Sequence, residues 1–584
     1  MKNLLFLVLL LGGRVLAQDS LIQNATNRPL QSLDGNWQYI IDPYETGLGG
    51  RYYEDRRQQD PGELVEYDFD HSPSLAVPGD WNSQDPHLLF YEGTVWYRRR
   101  FQAHPQAGKR YFLHFGAVNY AATVYLDGRK VGEHKGGFTP FQLEVTGLLR
   151  DGDNSLVVRA NNTRKAEEVP TLSTDWWNYG GITRDVDLLE LPQAFIRDYS
   201  IQLDPAHPDH VRGYVRVDGA SQDVTLRIPE AGITRTLHSG VDFDFAAPNL
   251  KKWSPEHPEL YQVTLSSGAD QVSDRIGFRT ITVRGKDILL NGRPIFLRGI
   301  CIHEENPLIP GRTRGASDQR MLMQWAKDLN CNFVRLAHYP HDEGQVRMAD
   351  EMGLLVWSEI PVYWGIAWDN PETLTNAEKQ LTDMIARDRN RASVLIWSIG
   401  NETPNIPSRL RFMSTLADSA HALDPTRLVA AALLAHHQGH DVTVDDPLAA
   451  KLDVVSFNEY LGWYSGPVGD IEKAQFHIPY DKPVLVSEVG GGALGGYHGD
   501  STTRWTEEYQ AALFRHQIRL LGGLDGLRGM TPWILVDFRS PRRVNPVYQN
   551  YWNRKGLIGS DGQKKEAFYV LKAFYDQLAA AGRP

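Results

Sequence analysis

Eight short apolar runs, separated mostly by helical stretches, occupy the second half of this 584-residue chain. The runs are 295–302, 332–337, 354–360, 394–399, 428–433, 454–457, 484–486 and 530–535. Between the first two, residues 318–329 carry apolar side chains on one helical face, with Ser317 as the candidate N-cap. Eight strand–helix units in about 300 residues indicate a (β/α)8 TIM barrel. A doubly wound open sheet is the alternative, although no glycine-rich phosphate loop opens the first unit.

The residues before the barrel predict two all-β domains. Residues 18–192 contain short β-rich segments bounded by turns, and Asp127-Gly128 is typical of a two-residue hairpin turn. We therefore expect a β-sandwich there. Residues 193–279 alternate apolar and polar side chains, and a region of this length fits an immunoglobulin-like β-sandwich. The barrel is then predicted to span residues 280–584.

The N-terminus has the pattern of a signal peptide covering residues 1–17. Lys2 precedes the apolar run 4–11, and Val15-Leu16-Ala17 is a suitable cleavage site. We therefore expect an exported protein, either periplasmic or secreted. No later stretch approaches about twenty apolar residues, so no membrane partner is predicted.

Net charge and cysteine positions bear on the possible partners of the chain and on its disulfides. The chain has 61 basic and 72 acidic residues, a net charge of −11, and no basic tract, which argues against nucleic acid as a partner. Its two cysteines, Cys301 and Cys331, fall late in the first predicted barrel strand and just before the second. Those positions lie at opposite ends of a parallel barrel, so we expect two unpaired thiols.

Polar residues follow most of the predicted barrel strands, where TIM barrels carry their chemistry. They are His303, Glu304, Glu305, Arg335, His338, Tyr339, Glu359, Asn401, Glu402, Asn458, Glu459, Tyr460, Glu488 and Trp533. Any one of them could simply cap a helix or form an ion pair. The convergence of so many at one barrel mouth favours an active site.

Two glutamates at this mouth suit glycosidic bond cleavage. Glu402 ends the fourth predicted strand and Glu488 ends the seventh, so the two face each other across the barrel. Cleavage needs one protonated carboxyl to assist departure and one carboxylate to attack the anomeric carbon or to activate water. Burial and mutual repulsion would keep one of them protonated. The spacing that distinguishes retention from inversion is not encoded in the sequence pattern.

The motifs at these positions resemble glycoside hydrolase family 2, and within it the β-glucuronidases. Trp397-Ser398-Ile399-Gly400-Asn401-Glu402 is similar to the acid/base motif of the family, and Val486-Ser487-Glu488 to its nucleophile motif. The resemblance covers nearly the whole chain and implies a jelly-roll sugar-binding domain, an immunoglobulin-like domain and a barrel. It also implies a retaining mechanism, with Glu402 as acid/base, Glu488 as nucleophile and Tyr460 orienting that nucleophile.

The same resemblance implies a set of substrate-binding residues. Asn401 is expected to bind the sugar 2-hydroxyl, and Asp175 lies in a loop by which the first domain reaches the substrate. Trp533, which ends the eighth predicted strand, is expected from its position to flank the sugar ring. The full set is Asp175, His303, His338, Asn401, Asn458, Tyr464, Trp533, Asn553 and Lys555.

Asn553-Arg554-Lys555 resembles the Asn-x-Lys motif by which glucuronidases hold the C6 carboxylate. A lysine ammonium and an amide can make charge-assisted hydrogen bonds to an acid, whereas a neutral hexose would leave the lysine unpaired. The chain departs from the bacterial pattern at Gln549, where an arginine is usual; Arg539, Arg542 or Arg543 could substitute. The sequence therefore predicts hydrolysis of terminal β-linked glucuronic acid.

Three alternatives remain open at this point. A β-galacturonidase or a β-galactosidase would use the same two glutamates, and a non-catalytic carbohydrate-binding protein would keep only the scaffold. No cofactor and no metal is expected, because the polar cluster at 303–305 lacks zinc spacing. The expected partner is a carbohydrate substrate, and because family members are often oligomeric, a homo-oligomer is also left open.

Overall fold

The computed structural model describes residues 20–60, 62–63, 65–220 and 222–581. The predicted signal peptide lies outside the described residues. Within them the chain forms the three predicted regions in order: a β-sandwich, a smaller β-sandwich and a parallel barrel. None of the described helices combines the length and apolarity needed to cross a bilayer.

Two antiparallel sheets build the first sandwich around a core that contains Trp37, Tyr97 and Phe115. In spatial order, one sheet comprises Leu30–Ser32, Val186–Pro192, Lys109–Phe115 and Phe141–Glu144; the other comprises Ser74–Val77, Gly35–Asp42, Thr94–Ala103, Gly152–Asn161, Ala121–Leu126 and Arg129–Lys135. Val118–Asn119 pairs with Gly181–Ile182. Asp127 and Gly128 have φ values of 49° and 78°, as a two-residue hairpin turn requires, so the predicted hairpin is confirmed.

The second sandwich has the immunoglobulin-like arrangement of two small antiparallel sheets. One contains Phe195–Leu203, His210–Asp218 and Phe243–Ala246; the other contains Ile233–His238, Asp223–Ile228, Tyr261–Ser267 and Asp270–Ile276. Along Tyr261–Ser267 buried residues alternate with more exposed ones, because successive side chains of a strand point to opposite faces.

In the barrel, eight parallel strand positions close on themselves. The strands are Leu297–Arg298 with Cys301–Ile302, then Phe333–Leu336, Leu355–Glu359, Val394–Asn401, Leu428–Leu433, Val455–Glu459, Val484–Val489 and Leu527–Met530. The first strand is in two pieces: its first piece pairs with the eighth strand and its second piece with the second strand, which completes the ring. The strands from Phe333–Leu336 to Val484–Val489 are buried on both faces, which explains why they are nearly continuous apolar runs in the sequence.

The helices from Ala316 onwards lie between or after these barrel strands, whereas the earlier ones belong to the two sandwiches. The α-helices are Trp81–Gln84, Ala316–Asp328, Glu343–Met352, Pro371–Asp388, Pro407–Leu423, Glu507–Gly522 and Glu566–Ala580. The short 3-10 helices are Ala25–Asn27, Tyr52–Glu54, Phe69–His71, Pro86–Leu88, Pro229–Ala231, Pro447–Lys451 and Val468–Lys473. The predicted Ser317 cap is wrong: the helix begins after Gly315, whose φ of 144° suits glycine and starts the helix earlier.

Small sheets and loops complete the barrel domain. The remaining strands are Ile281–Arg284, Asp287–Leu290, Arg293–Pro294, His436–Gln438, Asp441–Thr443, Gln475–His477, Phe538–Arg539 and Trp552–Asn553. Phe538–Arg539 pairs with Trp552–Asn553 at the barrel mouth, and the Trp177 backbone N–H of the first sandwich donates to the Arg539 carbonyl at 3.1 Å. The first sandwich thus reaches the mouth. Cys301 and Cys331 are buried free thiols, as expected.

Candidate active site

A cavity of about 340 Å³ lies at the C-terminal end of the barrel strands. Both predicted catalytic glutamates line it, together with residues from the first sandwich and from the loops after the eighth strand. The lining residues are Asp175, His338, Tyr363, Trp364, Glu402, Tyr460, Tyr464, Glu488, Trp533, Arg542, Arg543 and Lys555.

Glu488 lies in the seventh barrel strand with a donor on each oxygen. Arg335 Nη1 donates to Oε1 at 2.8 Å, and the Tyr460 hydroxyl donates to Oε2 at 2.5 Å. Burial first, and then the negative charge of Glu488, raises the pKa of Tyr460 well above its ordinary value, so the phenol stays a donor. The carboxylate is thereby held in one orientation against a positive charge.

Arg335 joins Glu488 to a second buried acid. Its guanidinium is fully buried, and Nη2 donates to Glu359 Oε1 at 3.1 Å and to Asn401 Oδ1 at 2.8 Å. Burial alone would raise the pKa of Glu359, but Arg335 and a hydrogen bond with His338 lower it to about 2. Glu359 therefore favours its ionised form, and its ion pair with Arg335 holds the arginine beneath the cavity.

Glu402 follows the fourth strand in a different environment. Asn458 Nδ2 donates to its Oε1 at 2.9 Å, and Trp364 Nε1 donates to its Oε2 at 2.8 Å. Burial is the main cause that raises the pKa of Glu402, and the charge of nearby Glu488 raises it further. The two carboxyls therefore have different environments: Glu488 lies beside the Arg335 cation, and the raised pKa of Glu402 favours its protonated form.

Asn401 and Asn458 connect the two glutamates. Asn458 donates to Asn401 Oδ1 at 3.2 Å, and the Ser487 hydroxyl donates to Asn458 Oδ1 at 2.8 Å. Asn401 Nδ2 is buried and has no partner among the described residues. A buried donor without a partner is costly. Like Asn553 and His303, Asn401 and Asn458 are not among the residues that line the cavity; they lie directly beneath Glu402.

On another side of the cavity, Lys555 lies against two tyrosines. Its Nζ donates to the Tyr464 hydroxyl at 2.6 Å and lies 5.2 Å from the centroid of the Tyr460 ring. Lys555 is only 4% exposed, and no aspartate or glutamate of the described residues forms an ion pair with it. Burial would raise the pKa of Tyr464, but Lys555 and Arg543 lower it below its ordinary value.

Asp175 of the first sandwich closes this side. It forms an ion pair with Arg543, and it accepts hydrogen bonds from the Ser540 hydroxyl at 2.6 Å and from Asn553 Nδ2 at 3.2 Å. Asn553 is 1% exposed and does not line the cavity. Asn553 therefore lies behind the cavity wall, where its side chain hydrogen-bonds to Asp175 and to the backbone N–H of Lys555.

Trp533 and His338 line the cavity with aromatic rings, and His303 packs behind them. His338 stacks on Trp533 with ring centroids 4.7 Å apart, and His303 meets the same ring edge-on at 5.3 Å. His303 does not line the cavity. Burial, with the neighbouring His338 as a second cause, lowers the pKa of His303 well below its ordinary value, so it is a neutral packing partner.

Comparison with known proteins identifies the family. Models described as "Glycosyl hydrolases family 2" match residues 30–192 for the sugar binding domain, 199–279, and 281–580 for the TIM barrel domain. The chain belongs to glycosyl hydrolase family 2.

Among relatives of this family 2 chain are β-glucuronidases. A putative β-glucuronidase of Formosa agariphila is 29% identical over 86% of this chain and 67% of its own length. The β-glucuronidase of Paenibacillus borealis is 27% identical over 95% of this chain and 98% of its own. The solved β-glucuronidase of Ruminococcus gnavus in complex with D-glucuronic acid is 26% identical, with a TM-score of 0.82 over 95% of this chain and 98% of its own. The chain is a β-glucuronidase-like glycosidase.

Several residues of this glycosidase site received no role from the sequence. Arg335 and Glu359 were visible only as polar strand ends, Tyr363 and Trp364 follow the third strand, and Arg543 was one of three candidate arginines. Their shared signal is position: each lies at or just after a barrel strand, or in the loop region following the eighth strand. Their partners lie far away in sequence, so no local pattern specifies them.

A candidate group of metal ligands among the described residues lies outside this cavity. In the described part of the chain, one group of three His, Cys, Asp or Glu residues has its ligand atoms within 4.8 Å of one another: His498, Glu508 and Glu566. None of the three lines the cavity. The cavity itself can perform acid/base and nucleophilic chemistry with its own carboxyls.

Proposed function

We propose that this family 2 glycosidase removes non-reducing terminal β-linked glucuronic acid with net retention. The observation that carries the sugar assignment is Lys555, a buried ammonium beside the nucleophile side of the cavity with no carboxylate partner among the described residues. Burying an unpaired charge is unfavourable unless a ligand completes the pair. A C6 carboxylate supplies that pair, whereas a neutral hexose does not.

The proposed reaction has two steps with balanced proton transfer. Glu488 attacks the anomeric carbon and forms a glycosyl ester, while Glu402 gives its proton to the departing glycosidic oxygen. Glu402, now ionised, takes a proton from water, whose oxygen attacks the anomeric carbon and releases Glu488. The raised pKa of Glu402 and the Arg335 contact to Glu488 support this assignment of roles.

The walls of the cavity support action at a chain end. Lys555 and the Asp175–Arg543 ion pair line one side of the cavity. Tyr464 also lines the cavity, and its hydroxyl accepts a hydrogen bond from Lys555. We propose that this side receives C6 of the terminal sugar and leaves no path for further sugars beyond it. Asn401, whose Nδ2 has no partner among the described residues, would bind the 2-hydroxyl.

The deciding experiment compares chromogenic β-D-glucuronide, β-D-galacturonide and β-D-galactoside, with Glu488→Ala as the control variant. We expect turnover of the glucuronide that falls by about 10⁴-fold in the variant, because an essential nucleophile is lost. Preferred turnover of the galacturonide would keep the uronate site and change the epimer. Turnover of the galactoside alone would refute the role of Lys555, and sugar binding without turnover of any substrate would refute catalysis.

We also propose that the protein is exported and acts on carbohydrate in the periplasm or outside the cell. The support is the apolar run 4–11 followed by Val15-Leu16-Ala17. Expression of the full chain in a bacterial host, followed by fractionation and mass spectrometry of the N-terminus, tests this. A protein that stays in the cytoplasm and keeps residues 1–17 would refute it.

A further inference from the structure

Trp364 and Arg542 form a cationic face on the acid/base side of the cavity. Trp364 Nε1 donates to Glu402 Oε2 at 2.8 Å, and the Arg542 guanidinium carbon lies 4.6 Å from the centroid of the Trp364 ring. Because Glu402 protonates the glycosidic oxygen in the proposed reaction, the group that departs lies on this side. Arg542 is therefore placed where the first unit of the leaving group binds.

Arg542 is fixed in position but not neutralised. Its Nη1 donates to the Ser173 hydroxyl at 2.6 Å, and its backbone N–H donates to Ser540 Oγ at 3.3 Å. No aspartate or glutamate of the described residues forms an ion pair with it. By contrast, the next arginines in this region are paired: Arg543 with Asp175, and Arg554 with Asp537.

The chemistry of this arginine favours an oxyanion. A guanidinium stacked on an aromatic ring keeps a planar fork of donors, and a carboxylate or a sulfate can accept two of them at once. The Arg542 side chain is exposed, so a ligand group can reach it from solvent without burying an unpaired charge. The Arg542 guanidinium is thus already stacked on Trp364, with donors exposed to solvent, before the substrate binds.

We propose that Arg542 and Trp364 form a leaving-group subsite that prefers an anionic sugar, one bearing a carboxylate or a sulfate ester. This inference rests on the proposed glucuronidase function and specifies its substrate class as acidic oligosaccharides. Lys555 would hold the carboxylate of the terminal sugar, and Arg542 would hold the anion of the sugar that follows. The two unpaired cations of the cavity lining would then each bind one substrate anion.

The test uses three glucuronides that differ only in the leaving sugar: neutral, the same sugar with a sulfate ester, and the corresponding uronic acid. We expect kcat/KM of the wild type to be about tenfold higher for an anionic leaving sugar, a modest factor because the contact is partly solvated. Arg542→Gln should reduce this ratio to near one, because it should lower kcat/KM for the anionic leaving sugars more than for the neutral one. The preference should also shrink as salt is added.

Arg150→Gln is the matched control, because it removes the same charge from an exposed arginine that pairs with Asp127 in the first sandwich and does not line the cavity. It should keep the preference for anionic leaving sugars. Comparing the sulfate with the uronic acid decides which anion the subsite takes.

Two results would overturn the inference. If the wild type hydrolyses the neutral and anionic glucuronides equally, the subsite has no anion preference, and the glucuronidase function still stands. If Arg542→Gln lowers kcat/KM for all three substrates by the same factor, the arginine acts through structure. Failure of every glucuronide, including the chromogenic one, would instead remove the proposed function and the inference with it.

Discussion

Two buried cations at the barrel mouth, Arg335 and Lys555, differ in whether they are paired with carboxylates. Arg335 is paired with Glu359 and Glu488 and also donates to Asn401. Lys555 is almost as deeply buried, yet among the described residues its Nζ contacts the Tyr464 hydroxyl and two aromatic rings and no carboxylate. The first cation pairs with the protein's own carboxylates, whereas under the proposed function the second pairs with the carboxylate of the substrate.

This difference separates catalysis from recognition within one cavity. The Arg335 cluster is complete without substrate, so it can hold the nucleophile in place before binding occurs. The Lys555 site is incomplete, so a ligand gains affinity by supplying the missing charge. The same logic applies, at the solvent edge, to paired Arg543 and unpaired Arg542. Two variants test this comparison, and a third tests the environment of the second catalytic carboxyl, Glu402.

Arg335→Met should produce the largest effect. It leaves Glu359 and Glu488 buried without their cation, and breaking a buried ion pair on one side typically costs about 3–5 kcal/mol of stability. We expect kcat for the glucuronide to fall by about 10³-fold, since the nucleophile loses its orientation. Thermal unfolding and steady-state kinetics measure both. A variant of unchanged stability would contradict the pairing of these groups.

Lys555→Met should have the opposite stability signature. Because the ammonium is buried without a counter-charge, its removal should leave the melting temperature unchanged or higher. We expect kcat/KM for the glucuronide to fall by about 100-fold, while the β-galactoside is hydrolysed no worse than by the wild type. A melting temperature lowered as much as in Arg335→Met would show that Lys555, like Arg335, stabilises the folded protein, and would contradict the comparison.

Trp364→Phe should have the smallest effect, mainly on pH dependence. The hydrogen bond from Trp364 lowers the pKa of Glu402 and partly offsets burial and the charge of Glu488, so its loss should raise that pKa further. Activity requires protonated Glu402, so the alkaline limb of kcat/KM should move to higher pH, with about a threefold change in rate at the optimum. A limb that moves to lower pH would contradict the role of Glu402 as the acid.

The sequence predicted the barrel because its signal is local. Parallel strands buried on both faces must be continuous apolar runs, so 394–399 and 484–486 lie within strands Val394–Asn401 and Val484–Val489. The eighth run was less accurate: 530–535 was predicted, whereas the strand is Leu527–Met530. Residues after Met530 leave the strand and bring Trp533 to the cavity. The Ser317 cap failed because the backbone of Gly315, not a side-chain preference, starts that helix.

The sequence by itself determined which carboxyls could be catalytic, since Glu402 and Glu488 lie at the ends of predicted strands that converge at the barrel mouth. Only the tertiary structure decided their environments: which carboxyl lies beside Arg335, which contacts Trp364, and that Asp175 pairs with Arg543, 368 residues away. Ion pairing, burial and pKa depend on distances of a few ångströms between groups that are remote along the chain. The sequence pattern identifies the candidate catalytic carboxyls, and the packing around each carboxyl determines which of them is ionised and which is protonated.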